Sequence, residues 1–373
     1  MKSEIKTAAI FGIVIVGILV SLSIVFSSLE TSNLVSKTLD EKKIPISDVG
    51  RNIDKSQFKM APDLVGIAHY INTTPEQLAK EIEGKVVLYD IWTYSCINCI
   101  RTLPYITAWN EKYSDDGLLI IGIHSPEFEF EKDPNNVEMA VQKNGITYPV
   151  VLDNEMKTWK AFENRYWPRK YIADHEGYIR YDHIGEGNYD QTEKVIQKLL
   201  EERATQLGLN VAAAESILEL EEFEHTSFRT PELYFGYKFS TGRNQLGNTE
   251  GFNPENDVSY TIPNDLKLNH FYIDGVWKNL QGSMKLVSDE GRIQLPYFAK
   301  EVNIVTAGKA ELTILLDGNP ISSEYAGMDV SSGKIQVEEA GLYNIVTSEQ
   351  AASHILEIKV SESGFEMYTF TFG

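Results

Sequence analysis

Two apolar runs, KVVLYDIW (85–92) and GLLIIGIH (117–124), are too short for buried helices and rich enough in Val and Ile to be strands covered on both faces. YPVVLD (148–153) is a shorter strand of the same kind. Between the first two lies INCIRTLPYITAWNEKY, which stops at the turn DDG (115–117) and predicts a helix kinked at Pro104. A further helix is expected near 134–143. RKYIAD and GYIRYDHI then read as a hairpin across HEG, and TEKVIQKLLEERA as a closing helix. Strands alternating with helices from Ala61 to about Glu202 predict an α/β domain, and the hairpin makes its central sheet mixed.

The patterning changes over 203–227, which passes through an Ala-rich patch and an acidic run. Beyond it, FYIDGVWKNL, AELTILLDGNP, VSSGKIQVEEAGLYNIV and HILEIKVSESGFEMYTFTFG are short β-rich runs separated by Asp-Gly and Ser-Gly turn signals. Such spacing predicts an all-β sandwich or jelly roll. At the other end, AAIFGIVIVGILVSLSIVFS (8–27) is uncharged and long enough to cross a hydrocarbon core of roughly 30 Å as a helix. Lys2 and Lys6 precede it, so the N-terminus should stay in the cytoplasm and the rest be exported. No A-x-A-like cleavage site follows, which favours a retained anchor over a signal peptide. Residues 28–57 lack aromatic residues and cannot bury a core. The expected organisation is an anchor at 1–29, a tether at 30–58, an α/β domain at 59–206, a linker at 207–226 and a β-domain at 227–373.

A net charge of -20 argues against nucleic-acid binding, which needs clustered Lys and Arg. The chain has two cysteines, Cys96 and Cys99, in DIWTYSCINCIRTLP. A c-type haem site would need His at position 100, which is Ile; a zinc site would need two more ligands that no nearby motif supplies. A structural disulfide across two residues closes too small a loop to stabilise much. A redox pair fits better. The CxxC follows a buried strand and opens a helix, so Cys96 meets unpaired N–H groups and the positive end of the helix dipole, which favours an attacking thiolate. Cys99, one turn in, is the expected resolving thiol. Such chemistry requires no cofactor and no metal.

WTYSCINCIRTLPY, HSPEFEFEKDPNNV, YWPRKYIAD and the terminal YTFTFG resemble the thioredoxin-like superfamily in its membrane-anchored TlpA and ResA branch, and most of all the exported C-terminal part of DipZ-type proteins. The resemblance implies a thioredoxin fold followed by a jelly-roll module similar to carbohydrate-binding modules. It also implies an extracytoplasmic, membrane-tethered disulfide reductant, with Cys96 and Cys99 as its redox-active disulfide. Asp90 would match the buried acid that deprotonates the resolving cysteine, and Glu127 an acidic residue near the active site, although EFEFE could equally be a solvated strand edge. Trp92, Trp167 and Pro168 would shape the substrate site, Pro168 following a cis bond. Implied partners are exported proteins with disulfides and a CcdA-like membrane electron donor, because this sequence lacks the CcdA-like domain of DipZ-type proteins. The dipeptide Ile97-Asn98 brings no positive charge to stabilise a thiolate, which points to a reductant rather than an oxidant.

Two other functions remain open. Thr93 stands where a thiol peroxidase would carry its Thr, but Tyr89 replaces the Pro of that motif. A glycan could bind the β-domain on Tyr234, Tyr237, Trp277 or Tyr297, since sugars stack on exposed aromatic faces.

Overall fold

The computed structural model describes residues 54–210, 218, 220, 223 and 229–373. The apolar run 8–27 and nearly all of the expected tether lie outside the described residues. Among those described, no helix is long and apolar enough to cross a membrane.

The first half is a six-stranded mixed sheet. Its strands are β1 (His69–Ile71), β2 (Val86–Trp92), β3 (Leu118–His124), β4 (Val150–Leu152), β5 (Arg169–Ala173) and β6 (Ile179–Ile184), in the order β1-β4-β3-β2-β5-β6. β2, β3 and β4 are parallel, while β1, β5 and β6 each pair antiparallel to a neighbour. Every residue of β2 is buried, which is why its sequence is continuously apolar rather than alternating. The helices that cover the sheet start where their sequences supply caps. Thr74 and Gln77 form a capping box before α1 (Pro75–Glu81), and Cys96 caps α2 (Ile97–Tyr113), with Pro104 inside it. Asp133 caps α3 (Pro134–Lys143); α4 (Lys157–Ala161) and α5 (Tyr189–Leu207) complete the set.

The second half is antiparallel throughout its named strands: β7 (Leu233–Tyr234), β8 (Asp257–Tyr260), β9 (Tyr272–Asn279), β10 (Met284–Leu286), β11 (Gly291–Ala307), β12 (Ala310–Leu316), β13 (Asn319–Pro320), β14 (Lys334–Val337), β15 (Gly341–Val360) and β16 (Glu366–Phe372). A single helical turn, α6 (Tyr237–Ser240), follows β7. The backbone of this half is the pairing of the long strands β11 and β15 over Gly291–Thr306, broken by bulges near Ala299 and Val302. Strict alternation of buried and half-buried residues along β12 puts Leu312, Ile314 and Leu316 into the core.

That core absorbs two of the four aromatic residues expected to stack on sugars, Trp277 and Tyr297, and the contact between the halves buries a third, Tyr234. Trp277 and Tyr297 are almost fully buried, and Tyr234 is 6% exposed. Trp277 donates its Nε1–H to the carbonyl of Asp274 and packs edge-on to Phe365. Strand alternation faces Trp277 and Tyr297 inward, so they present no platform; of the four, Tyr237 alone is half-exposed, and its hydroxyl donates to Glu255.

The two halves pack on each other within one compact unit. Phe128 and Phe130, from the loop after β3, meet Tyr368 of β16 with ring centroids 5.0 and 4.8 Å apart. Arg101 of α2 donates to Glu301 of β11 at 2.5 Å, and the Tyr94 hydroxyl donates to the Ala340 carbonyl at 3.2 Å. The sequence EFEFEK is therefore not a strand edge: Glu129–Lys132 is a 3₁₀ turn whose Phe130, with Phe128 just before it, binds the halves together.

Candidate active site

Cys96 occupies the N-cap of α2 in an extended backbone conformation, and its Sγ accepts the Cys99 N–H at 3.3 Å. A sulfur there takes up one of the helix's otherwise unpaired N–H donors. Cys96 is half-buried and Cys99 fully buried; both are free thiols. Burial, and then the neighbouring Cys96 sulfur, hold the Cys99 thiol well above its ordinary range. The pair is thus asymmetric: one sulfur accessible and helix-capped, the other buried behind it and reluctant to ionise.

Asp90 lies on β2 between Gly122 of β3 and Lys170 of β5. It is fully buried, and neither carboxylate oxygen has a hydrogen-bond partner among the described residues. Burial pushes its carboxyl up to about 6, against the pull of the Lys170 charge. Lys170 is itself buried, donates to the Gly185 carbonyl at 3.1 Å, and is held below its usual range by burial while Asp90, Cys99 and Glu186 draw it back up. Gly122 opposite Asp90 has a packing reason: a Cβ there would stand 3.0 Å from Trp92 Nε1 and 3.3 Å from Tyr148 Cε2.

The segment leading to Cys96 is clamped from behind by two residues that sequence reasoning did not select. His124, fully buried at the end of β3, accepts the Tyr94 N–H on Nε2 at 3.3 Å, and its ring stacks on Tyr94 and meets Trp92 edge-on. Burial drops it to about 3, so it stays neutral. Glu131, also fully buried, accepts the Ser95 hydroxyl at 2.6 Å and the backbone N–H groups of Glu127 and Phe128 at 2.6 and 2.9 Å. Thr93 turns its hydroxyl to His124 Nε2 at 3.3 Å, and Tyr89 packs against Phe162 in the core, so both serve the scaffold.

In front of Cys96 lies a chamber of about 360 Å³ whose walls come from both halves. Ser95, Cys96, Glu127 and Trp167 line one side, and Glu232, Tyr234, Arg243 and Thr371 the other. The Trp167–Pro168 bond is cis, Pro168 is buried, and the Trp167 indole N–H donates to the Ser125 carbonyl at 2.9 Å. Trp92, by contrast, sits in the core behind the cysteines. Glu127 accepts from the Tyr234 hydroxyl. No group of three or more His, Cys, Asp or Glu among the described residues is placed to hold a metal ion.

Comparison with known proteins agrees with this geometry. A Redoxin family model matches residues 59–200, and one described as a thioredoxin like C-terminal domain matches 230–373. The thiol-disulfide oxidoreductase YkuV of Bacillus subtilis is 31% identical over 143 residues, which are 38% of this chain and 94% of YkuV. The chain belongs to the thioredoxin-like thiol-disulfide oxidoreductases. Within that family it is 36% identical over 317 residues to Protein DipZ of Mycobacterium tuberculosis, across 84% of this chain. It spans 43% of the length of that relative. The solution structure of a thioredoxin-like protein in its oxidized form covers 40% of this chain and 99% of its own, at 29% identity and a TM-score of 0.35. The oxidoreductase domain accounts for α2 and its two cysteines; the β-domain supplies the far wall of the chamber.

Proposed function

We propose that this protein is a membrane-tethered, extracytoplasmic disulfide reductant. The observation that carries the reading is the asymmetric cysteine pair: Cys96 capping α2, Cys99 buried one turn in, and Asp90 buried in the adjoining strand without a hydrogen-bond partner among the described residues. The Cys96 thiolate attacks a substrate disulfide and one substrate sulfur leaves. Asp90 takes the Cys99 proton, the Cys99 thiolate attacks the Cys96 sulfur, and the second substrate sulfur departs, leaving the Cys96–Cys99 disulfide. A carboxyl raised to about 6 is a suitable acceptor near neutral pH, since a proton exchanger works best when its affinity lies close to the ambient pH.

Exported proteins carrying disulfides are the substrates this reading assigns, and a CcdA-like membrane protein is the electron donor that would restore the thiols from the cytoplasm. The uncharged run 8–27 supports a single-pass anchor, and the resemblance to DipZ-type proteins supports an extracytoplasmic site. We read the β-domain as a jelly-roll module that shapes the substrate chamber. Ile97-Asn98 favours the reducing direction, as neither residue stabilises a thiolate by charge.

The Cys99→Ser variant, incubated with a disulfide-bonded protein, should accumulate a mixed disulfide through Cys96, and the Cys96→Ser variant should form none. Equal trapping by both variants, or by neither, would reject the assigned roles.

A further inference from the structure

Glu232 and Tyr234 reach the chamber from the β-domain, opposite Cys96. The Tyr234 phenolic oxygen stands 3.0 Å from Glu127 Oε1 and 2.8 Å from Glu232 Oε2. A phenol has one proton to donate and can serve only one of these carboxyl groups. The other contact is a hydrogen bond only if that carboxyl is itself protonated and donates to the phenolic oxygen. Two carboxyl groups meeting at one hydroxyl, on elements joined by the packing of Phe128 against Tyr368, therefore retain a proton between them.

We propose that Glu127 and Glu232, bridged by Tyr234, share one proton across the domain boundary and give it to the thiolate that leaves the substrate when Cys96 attacks. The proposal rests on the thiol-disulfide exchange reading. The charges facing the pair are mixed. Burial and the charges of Glu232 and Glu131 hold Glu127 well above the usual carboxylate range, while Tyr234 and Arg243 pull it down. Desolvation by the surrounding protein raises Glu232 even though the residue keeps an exposed side, with Tyr234, Arg243 and Arg229 opposing. Arg243 also lies over the Tyr234 ring at 4.7 Å. Glu232 is exposed to the water of the chamber, which gives the pair a route to recover its proton.

The step balances. Cys96–S⁻ displaces R′–S⁻ from R–S–S–R′; a mixed disulfide of Cys96 with R forms, the carboxyl pair gives up its proton, and R′–SH is released. The benefit depends on the leaving group. An alkyl thiolate is strongly basic and gains from protonation as it departs, whereas an aromatic thiolate leaves readily without it.

The test compares the reduced full-length protein with its Glu232→Gln and Tyr234→Phe variants at pH 7. Rates of Cys96 attack are measured on two small neutral disulfides, bis(2-hydroxyethyl) disulfide and 2,2′-dipyridyl disulfide. In both variants the ratio of the alkyl rate to the aryl rate should fall by about 100-fold or more, the lower end of what a positioned acid contributes. Equal losses on the two disulfides would mean that these residues only shape the chamber, and would overturn the proposal. Should the wild-type protein react with neither compound, the exchange reading fails and the shared-proton proposal fails with it.

Discussion

A carboxyl group enclosed in a sheet without a hydrogen-bond donor is costly to ionise, and among the described residues Asp90 has none. Its affinity for a proton rises from 3.8 in the unfolded chain to about 6 in the fold, so the folded protein holds the proton longer. The contribution of Asp90 to stability is therefore greatest at low pH and falls as pH rises from about 4 to about 6, by on the order of 3 kcal/mol. Asp90→Asn should abolish that slope, leaving the variant more stable than wild type at pH 7 in urea denaturation. It should also slow the resolving step about tenfold or more and remove its inflection near pH 6. An unchanged rate of Cys99 attack in single-turnover measurements would show that Asp90 takes no proton. The cysteines were legible in the sequence as a CxxC at a strand-to-helix junction, and Asp90, six residues before Cys96, through the resemblance. Lys170 was not, since only the antiparallel register of β5 on β2 brings it beside Asp90.

The turn Glu129–Lys132 carries the same lesson for elements. Alternating Phe and Glu reads as a strand, yet no neighbouring strand pairs with it, and the 3₁₀ turn folds Glu131 inward under Ser95. Glu131 then accepts three hydrogen bonds, from the Ser95 hydroxyl and the backbone N–H groups of Glu127 and Phe128. Glu131→Ala would leave a hydroxyl and two backbone N–H groups unpaired in a buried site, at roughly 2–4 kcal/mol. The denaturation midpoint should fall accordingly, and an unchanged midpoint would mean that the loop has a second anchor. His124 escaped notice for a related reason, closing an otherwise apolar strand whose end meets the Cys96 loop only through parallel pairing of β2 and β3. The long buried strands and α2 were legible because their apolar runs and caps are continuous. β1 and α4 are too short for a periodicity to register.

For the molecule as a whole, what composition could not convey is that the β-domain faces the redox centre. Trp277 and Tyr297 are spent on its core, and Tyr234 on the contact with Phe128. What remains exposed at the junction is a chamber with Cys96 on one wall and Glu232, Tyr234 and Arg243 on the other. A substrate sulfur reaching Cys96 thus meets both domains at once. The central claim is that this chamber serves a reducing cysteine pair, and the most direct test is the equilibrium of the pair itself. Residues 59–373 should be equilibrated across a graded thiol-disulfide buffer and the free thiols alkylated and counted. Cys96 and Cys99 should titrate together as a two-electron couple with a midpoint at or below about -200 mV, among the reductants. A midpoint near about -120 mV, or two thiols that never pair, would contradict the account.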